Sequence, residues 1–363
     1  MAYGSINVPG LDKFDLLGAY EKAIPEGSDF LLGVEGDELM RVPAGAVGGG
    51  KRTCRKVVGT STAGWMAADC DYLCDGVDDQ VEIQAAINAL GTGGGEVRLL
   101  SGTYNLSGSI GLSDHGIMLR GNGRDSTILA ATSSFPSAVA MVVCNIGGIV
   151  CDLGISGGDN AHGIEIVSSD FTTIKNCKIR MFNTRFAIYT RGTVSPKVTH
   201  IHDNYIDGGY GIYCEPNSKF VFFQNNIICS GSSMAMQAFS TSDSVFANNF
   251  IFPKQASEDN RFCPMYFSGC NRLQIIGNYS LPSVFNSSGE ITTGSTGNAL
   301  TVSSSTRISI IGNTFFTSSW DASAHSIYCT NLRYGFVADN YILDKNYTVE
   351  GGRDNTFINN KFE

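Results

Sequence analysis

One residue type returns at a fixed point along the chain. Asn204, Asn226, Asn249, Asn278, Asn313, Asn340 and Asn360 each follow an apolar stretch, and each is preceded by Asp, Asn or Gly, as in HIHDNYI, VFANNFI and FVADNYI. A column of apolar residues keeps phase with them: Ile164, Ile188, Ile212, Met236, Met265, Leu300 and Ile327 stand 24, 24, 24, 29, 35 and 27 residues apart. In KNCKI, alignment by the neighbouring isoleucines puts Cys177 at the Asn position. A sandwich of hairpins would return its strands after two-residue turns at irregular spacing. A sustained period predicts a solenoid instead, with three short strands per coil that pair in parallel because each coil brings the chain back to its neighbour. The Asn position reads as a sharp turn: Asn is the non-glycine residue that best tolerates left-handed backbone, and stacked Asn side chains can bond from coil to coil.

Composition agrees with this. The 363 residues are 42% hydrophobic and 16% charged, with 43 glycines, which suits a large core and many turns. A net charge of -9 argues against nucleic acid or an anionic membrane surface as partner. No run of about 18 apolar residues is present. The opening MAYGSINVPG lacks the basic and apolar regions of a secretory signal, which predicts a chain made and kept in the cytoplasm before assembly. Eleven cysteines are scattered among strand-like segments, so they read as reduced core residues. Cys70 and Cys74 lack a second pair with which to complete a metal site, and neither metal nor cofactor is expected.

One amphipathic helix is visible, over about 79–90 in DDQVEIQAAINAL. Asp79 and Glu82 have the spacing of a capping box, and Val81, Ile83, Ala86, Ile87 and Leu90 fall on one side, as a cap for the open end of a solenoid requires. The stretches ADCDYLCDGVDDQVEIQAAINAL, GGGEVRLLSGTYNLSGSI and IMLRGNGRDSTIL resemble the opening of the pectate-lyase-like, right-handed parallel β-helix proteins. There an Asp-Gly-x-x-Asp-Asp segment and an xIQxAI helix cap the solenoid, and a GGxVxLxxGxY strand pair begins it. With the coils, the resemblance covers residues 70 to 363. It is specific for fold and weak for activity, since that superfamily includes lyases, hydrolases, epimerases and phage tailspikes. Residues 1–50 contain FLLGV and ELMRV around a Glu-Gly-Asp turn, then glycines 48 to 50. This resembles the particle-attachment modules that begin phage tail fibres and tailspikes; the alternative is an incidental hairpin arm that covers the cap. The expected fold is therefore all-β: a right-handed parallel β-helix over 51–363, with a capping helix and a small N-terminal hairpin arm.

The residue after each apolar marker should face solvent, giving the column Glu165, Tyr189, Tyr213, Gln237, Tyr266, Thr301 and Tyr328. Two residues later stand Val167, Arg191, Glu215, Phe239, Ser268, Ser303 and Thr330. Tyr189, Arg191, Tyr213, Gln237, Phe239, Tyr266 and Tyr328, with Trp320 from a long insertion, are candidate substrate-binding residues, because sugar C–H faces pack on aromatic rings while hydroxyls reach polar neighbours. The same rings could simply stack on their neighbours, or line a protein contact such as a trimer seam. Candidate acids are Glu165, Glu215, Glu258, Asp259 and Asp321. Glu165 and Glu215 are expected two coils apart, further than glycosidase carboxylates sit, with Arg191 placed to pair with Glu215. No Asp cluster or paired Asp motif of the pectinolytic kind is present.

These features and the resemblance imply a phage or prophage tail protein that recognises, and in some forms depolymerises, a bacterial surface polysaccharide. Its partners would be that polysaccharide and, through the arm, other tail proteins; its place would be the virion, assembled in the cytoplasm. The alternatives are a free polysaccharide lyase or glycoside hydrolase, and a non-catalytic β-helix adhesin. The resemblance also implies a homotrimer, although TFINNKFE is followed by no recognisable trimerisation domain, which leaves the oligomeric state open.

Overall fold

The computed structural model describes the backbone of residues 30–35 and 38–43, and residues 54–362 except 115, 159–160, 168–170, 182–184, 192–197, 231–233, 254–262, 282–283, 286–290, 293–297, 317–324 and 344–346. The chain divides into two compact units, Met1–Thr53 and Cys54–Glu363. In the first, Phe30–Glu35 pairs antiparallel with Glu38–Pro43, the hairpin that FLLGV and ELMRV suggest.

The second unit is a parallel β-helix. Its described residues build three parallel sheets of 13, 11 and 10 strands. One coil shows the path: Val198–His202 in the leading sheet, a turn at Asn204, Tyr205–Asp207 in the short-strand sheet, then Tyr210–Cys214 in the marker sheet, before Val221–Gln224 re-enters the leading sheet. The apolar markers pair in one continuous line, Ile164 to Ile188, Ile212, Met236, Met265, Leu300 and Ile327. The line extends back to Val142 and Ile110 and forward to Tyr347. Insertions that lengthen the interval to 29 or 35 residues leave the register untouched, because they enter between strands.

The asparagines form a ladder. The Oδ1 of Asn226 accepts both the backbone N–H and the Nδ2–H of Asn204, each at 3.0 Å, and the same double bond repeats between successive members up to Asn360. The second Nδ2–H goes to a strand carbonyl further back, Ile174 for Asn204 and Phe223 for Asn249. An Asn amide offers two donors and two acceptor lone pairs, and in the ladder members from Asn226 to Asn340 all four are used. The left-handed residue, however, is not the ladder Asn but the one before it: Asp203, Asn225, Asn248, Gly277, Gly312, Asp339 and Asn359 all have φ between 52° and 64°. That explains the Asp/Asn/Gly column, and it frees the next residue to turn its side chain into the stack. Cys177 opens the ladder, donating its N–H to Asn204 Oδ1.

The capping helix α1 spans Gln80–Asn88 and buries Ile83, Ala86 and Ile87. Leu90 is also buried, but Val81 is 58% exposed and so lies outside the packed face. The capping box does not form. Asp79 has helical backbone (φ -56°) and no side-chain cap bond, whereas a capping residue is extended. Its buried carboxylate instead accepts the N–H groups of Gly76 (2.8 Å) and Asn105 (2.7 Å), fastening the cap loop to the strand Gly102–Leu106. All eleven cysteines are free; eight are buried, while Cys54 is exposed. Among the described residues no helix is long and apolar enough to cross a membrane.

Asn249→Ala should lower stability by about 3 kcal/mol, because it strands two buried donors on Asn226 and the Phe223 carbonyl. Cys177→Asn should stay within about 1 kcal/mol of wild type, since it restores the amide the turn is built for. Guanidinium unfolding midpoints of the two variants check the contrast.

Candidate functional site

The outward face of the marker sheet carries the side chains expected there. Glu165, Tyr189, Tyr213, Gln237, Tyr266, Thr301 and Tyr328 pair rung to rung. Phe239, Ser268, Ser303 and Thr330 do the same two residues on, and Arg191 and Glu215 continue the line just past their strand ends. Gln237 and Thr301 are each only 8% exposed, so they are largely covered between their larger neighbours. Glu258, Asp259, Trp320 and Asp321 lie outside the described residues.

A further outward column precedes the marker: His162, Phe186 and Tyr210. Strict alternation hides it. The strands Phe186–Thr190 and Tyr210–Cys214 bury two residues in a row before alternating. The extra buried position holds Gly163, Ala187, Gly211 and Ala235, and a Cβ at Gly211 would strike the Ala235 carbonyl oxygen of the next coil. Gly211 thus lies within the strand because backbone passes close by. The sequence signal was that column of small residues.

Together the columns make one continuous aromatic ribbon. His162 stacks on Phe186 (5.2 Å between centroids), and Phe186 on Tyr189 (5.7 Å, 15° between planes). Tyr189 meets Tyr213 at 5.6 Å, Tyr213 meets Phe239 at 5.6 Å, and Phe239 meets Tyr266 at 5.7 Å. Tyr328 stands apart, separated from Tyr266 by Thr301 and stacked on His325 at 5.4 Å. Because inner rings turn faces toward one another, they offer a ligand mainly edges and hydroxyls.

Charge is arranged in pairs across the ribbon. Arg191 Nε lies 2.9 Å from Glu165 Oε1, where pairing with Glu215 had been expected. Glu215 is instead taken by the Tyr189 hydroxyl, which donates to its Oε1. The reason is geometric: Arg191 and Glu165 are one rung apart in adjacent columns, and Tyr189 reaches Glu215 by the same diagonal one rung further on. Burial first, then the bond to Glu215, pushes the Tyr189 phenol up to about 12. The Tyr189 contact and Glu165 hold the Arg191 guanidinium above its ordinary range. His162 is held below its usual value by burial and by Arg185; its Nδ1 accepts the Phe186 N–H at 2.9 Å. Both carboxylates near the ribbon are therefore already engaged, and neither is poised alone as an acid or base.

A second cluster lies in the cap, where donor atoms of Cys74, Asp79 and Glu82 fall within 4.8 Å of one another. Burial and the neighbouring carboxylates push the Cys74 thiol up, and Asp79 already serves two backbone N–H groups. The cluster is thus explained as the joint between cap and first coils.

No protein-family model matches the chain, and no curated protein matches it by sequence. Solved structures of similar fold include the A-module of mannuronan C-5 epimerase AlgE6 from Azotobacter vinelandii, at 16% identity over 82% of this chain and 97% of that one, TM-score 0.49. PfbA, a surface adhesin of Streptococcus pneumoniae, gives 15% identity over 79% and 87%, TM-score 0.48. The Dettilon tailspike protein gives 11% over 78% and 66%, TM-score 0.43. These neighbours are parallel β-helix proteins. The likeness is one of fold.

A raised folded-state pKa favours the protonated phenol, so Tyr189 contributes stability that is complete below about pH 10 and is lost as pH rises to about 12. Tyr189→Phe should therefore flatten the alkaline fall in stability between those limits relative to wild type. Thermal melts across pH 9 to pH 12 check this; superimposable profiles would contradict it.

Proposed function

We propose that this protein is a tailspike-like β-helix of a phage or prophage that binds an extended bacterial surface polysaccharide along the marker sheet. The observation that carries this reading is the unbroken ribbon from His162 to Tyr266. Each ring of the ribbon is half-buried by its neighbours, and a contiguous, partly apolar strip of this kind marks a surface that a partner covers. Tyr189, Tyr210, Tyr213 and Tyr266 add phenolic hydroxyls that suit a ligand both apolar and hydroxylated, which is what a sugar chain is. The ribbon runs along the solenoid axis, so it favours a polymer over a single small molecule. In this reading the arm around Phe30–Pro43 joins other tail proteins, the particle is a homotrimer, and the site of action is the virion.

Cleavage of the same polysaccharide is a second activity that this reading accommodates. The carboxylates of the described face are taken up by Arg191 and Tyr189, so catalysis would draw on groups beyond them.

Affinity electrophoresis against a panel of bacterial capsular and wall polysaccharides tests the proposal. Wild type should be retarded by at least one polymer, and Tyr213→Ala, assayed well below its melting temperature because the lost ring contacts lower its stability, should weaken that retention by about tenfold. Release of reducing ends would mark an enzyme, and retention without release a binder. No retention by any polymer, or equal retention of the variant, would sink the ribbon reading.

A further inference from the structure

The corner where the marker sheet passes to the leading sheet carries a row of arginines, away from the ribbon. Arg272 and Arg307 stand on neighbouring rungs in a column of left-handed residues, and Arg333 and Arg353 bridge to one another on the two rungs that follow. Successive coils thus line up these guanidinium groups over roughly 14 Å of the solenoid axis. Arg272 is taken by Asp243, which accepts from its Nε and one Nη. Arg307, Arg333 and Arg353 are exposed and form no ion pair or side-chain hydrogen bond among the described residues, with Asp354 beside Arg353 or with any other acid. Like charges one rung apart repel. The left-handed column holds Asp243 and Asp354 in other coils, and Asp enters such backbone more readily than Arg, so the turn itself does not call for arginine at 272 or 307. Beside this ridge the leading sheet is apolar. Ile276, Ile311, Ala338 and Ile358 follow one another rung to rung in an outward column. Between them and the ridge lie Gln274, Ser309, Phe336 and Thr356, with no charge among them and Phe336 38% exposed.

We infer that this face docks an acidic amphipathic helix of a second protein, laid along the solenoid axis with apolar side chains on the isoleucine column and carboxylates toward the arginines. The inference stands apart from the ribbon reading. Unpaired guanidinium groups set the sign of the partner, and their planar forks match carboxylates two bonds at a time. Composition separates a protein from a bare polyanion. A polyanion track needs cations alone, whereas arginines with Phe336, a 57% exposed Tyr334 and a line of aliphatic side chains have the make-up of a protein interface. Geometry selects a helix. Ser309–Ile311, Phe336–Ala338 and Thr356–Ile358 are three residues long, roughly 10 Å each, so the long direction of the face is the axis. A segment running that way crosses the strands and cannot join their hydrogen bonds, so it must satisfy its own backbone, as a helix does. Helical turns advance about 5.4 Å, close to the rung spacing of roughly 4.8 Å, so residues three or four apart meet successive coils.

Fluorescence anisotropy with the full chain tests this. The probe is a labelled peptide of about five helical turns, with Leu along one face and Glu along one flank. Comparators are the same residues shuffled so that no apolar face forms, the same helix with Lys in place of Glu, polyglutamate, and polyphosphate. At physiological salt the acidic amphipathic peptide should bind at least about tenfold tighter than each comparator. Arg307→Glu combined with Arg333→Glu should remove that preference and bind the Lys peptide instead, with thermal melts confirming that the variant is folded. Phe336→Ala should weaken the acidic peptide about threefold and leave polyglutamate unchanged. Polyglutamate or polyphosphate binding as tightly as the peptide would make the ridge a general polyanion surface and overturn the inference. So would equal binding of the shuffled peptide, no binding of the acidic helix, or no response to the arginine substitutions.

Discussion

A buried asparagine amide that fills all four of its hydrogen bonds sets the geometry of the coils from Asn204 onward. Asn249 shows the constraint in full: its Oδ1 receives two N–H groups of Asn226, and its Nδ2 serves Asn278 and the Phe223 carbonyl. In a dry interior any one of these groups left unmatched costs about 1–3 kcal/mol. A coil that slipped by one residue would break several at once. The ladder therefore works as a ratchet on register, and the left-handed residue ahead of each Asn is the hinge that makes the turn possible.

Register fixed at one corner is transmitted to the opposite face. From Tyr210–Cys214 onward each strand of the marker sheet follows a ladder Asn across a connection of variable length, and its register is kept, so Ile212 lies over Met236 and Tyr213 over Gln237. The outward columns are a consequence. Parallel rungs lie roughly 4.8 Å apart, which is near the contact distance of stacked rings, so aromatics placed in neighbouring columns merge into a ribbon without any loop to hold them. The small residues at Gly163, Ala187, Gly211 and Ala235 let adjacent coils approach, and this is what turns Phe186 and Tyr210 to the same side as Tyr189 and Tyr213.

The coil, the marker line and the Asn ladder were legible in the sequence because each depends on one residue type at one recurring position. The cap was legible as a helix, but not in its bonding. Whether Asp79 turns toward its own helix or toward Asn105 depends on a strand 26 residues away. The partner of Arg191 was missed for a similar reason: Glu165 and Glu215 each stand one rung from it, and side-chain packing alone chooses between them. Least legible is the corner between the marker and leading sheets, where Phe220, Arg272, Arg307 and Tyr334 adopt φ between 53° and 56° despite bulky side chains. They are held there by bonds to the next coil, such as Arg272 N–H to the Thr306 carbonyl at 3.0 Å, and no residue preference announces that.

A sheet face of this kind is better suited to recognition than to reaction. Side chains on neighbouring rungs stand side by side, so an acid finds a partner one rung away before it can converge with another acid on a point above the sheet. Glu165 with Arg191, and Tyr189 with Glu215, illustrate this. Convergence needs groups that overhang the face, and a solenoid gains these only where a coil is lengthened. The early coils, at intervals of 24 residues, carry the stacked rings; the later ones, at 29 and 35, carry Tyr266 and Thr301. Under the proposed reading, a cut in a held polysaccharide would fall toward that later half. The ribbon then acts as the track that delivers the chain to it.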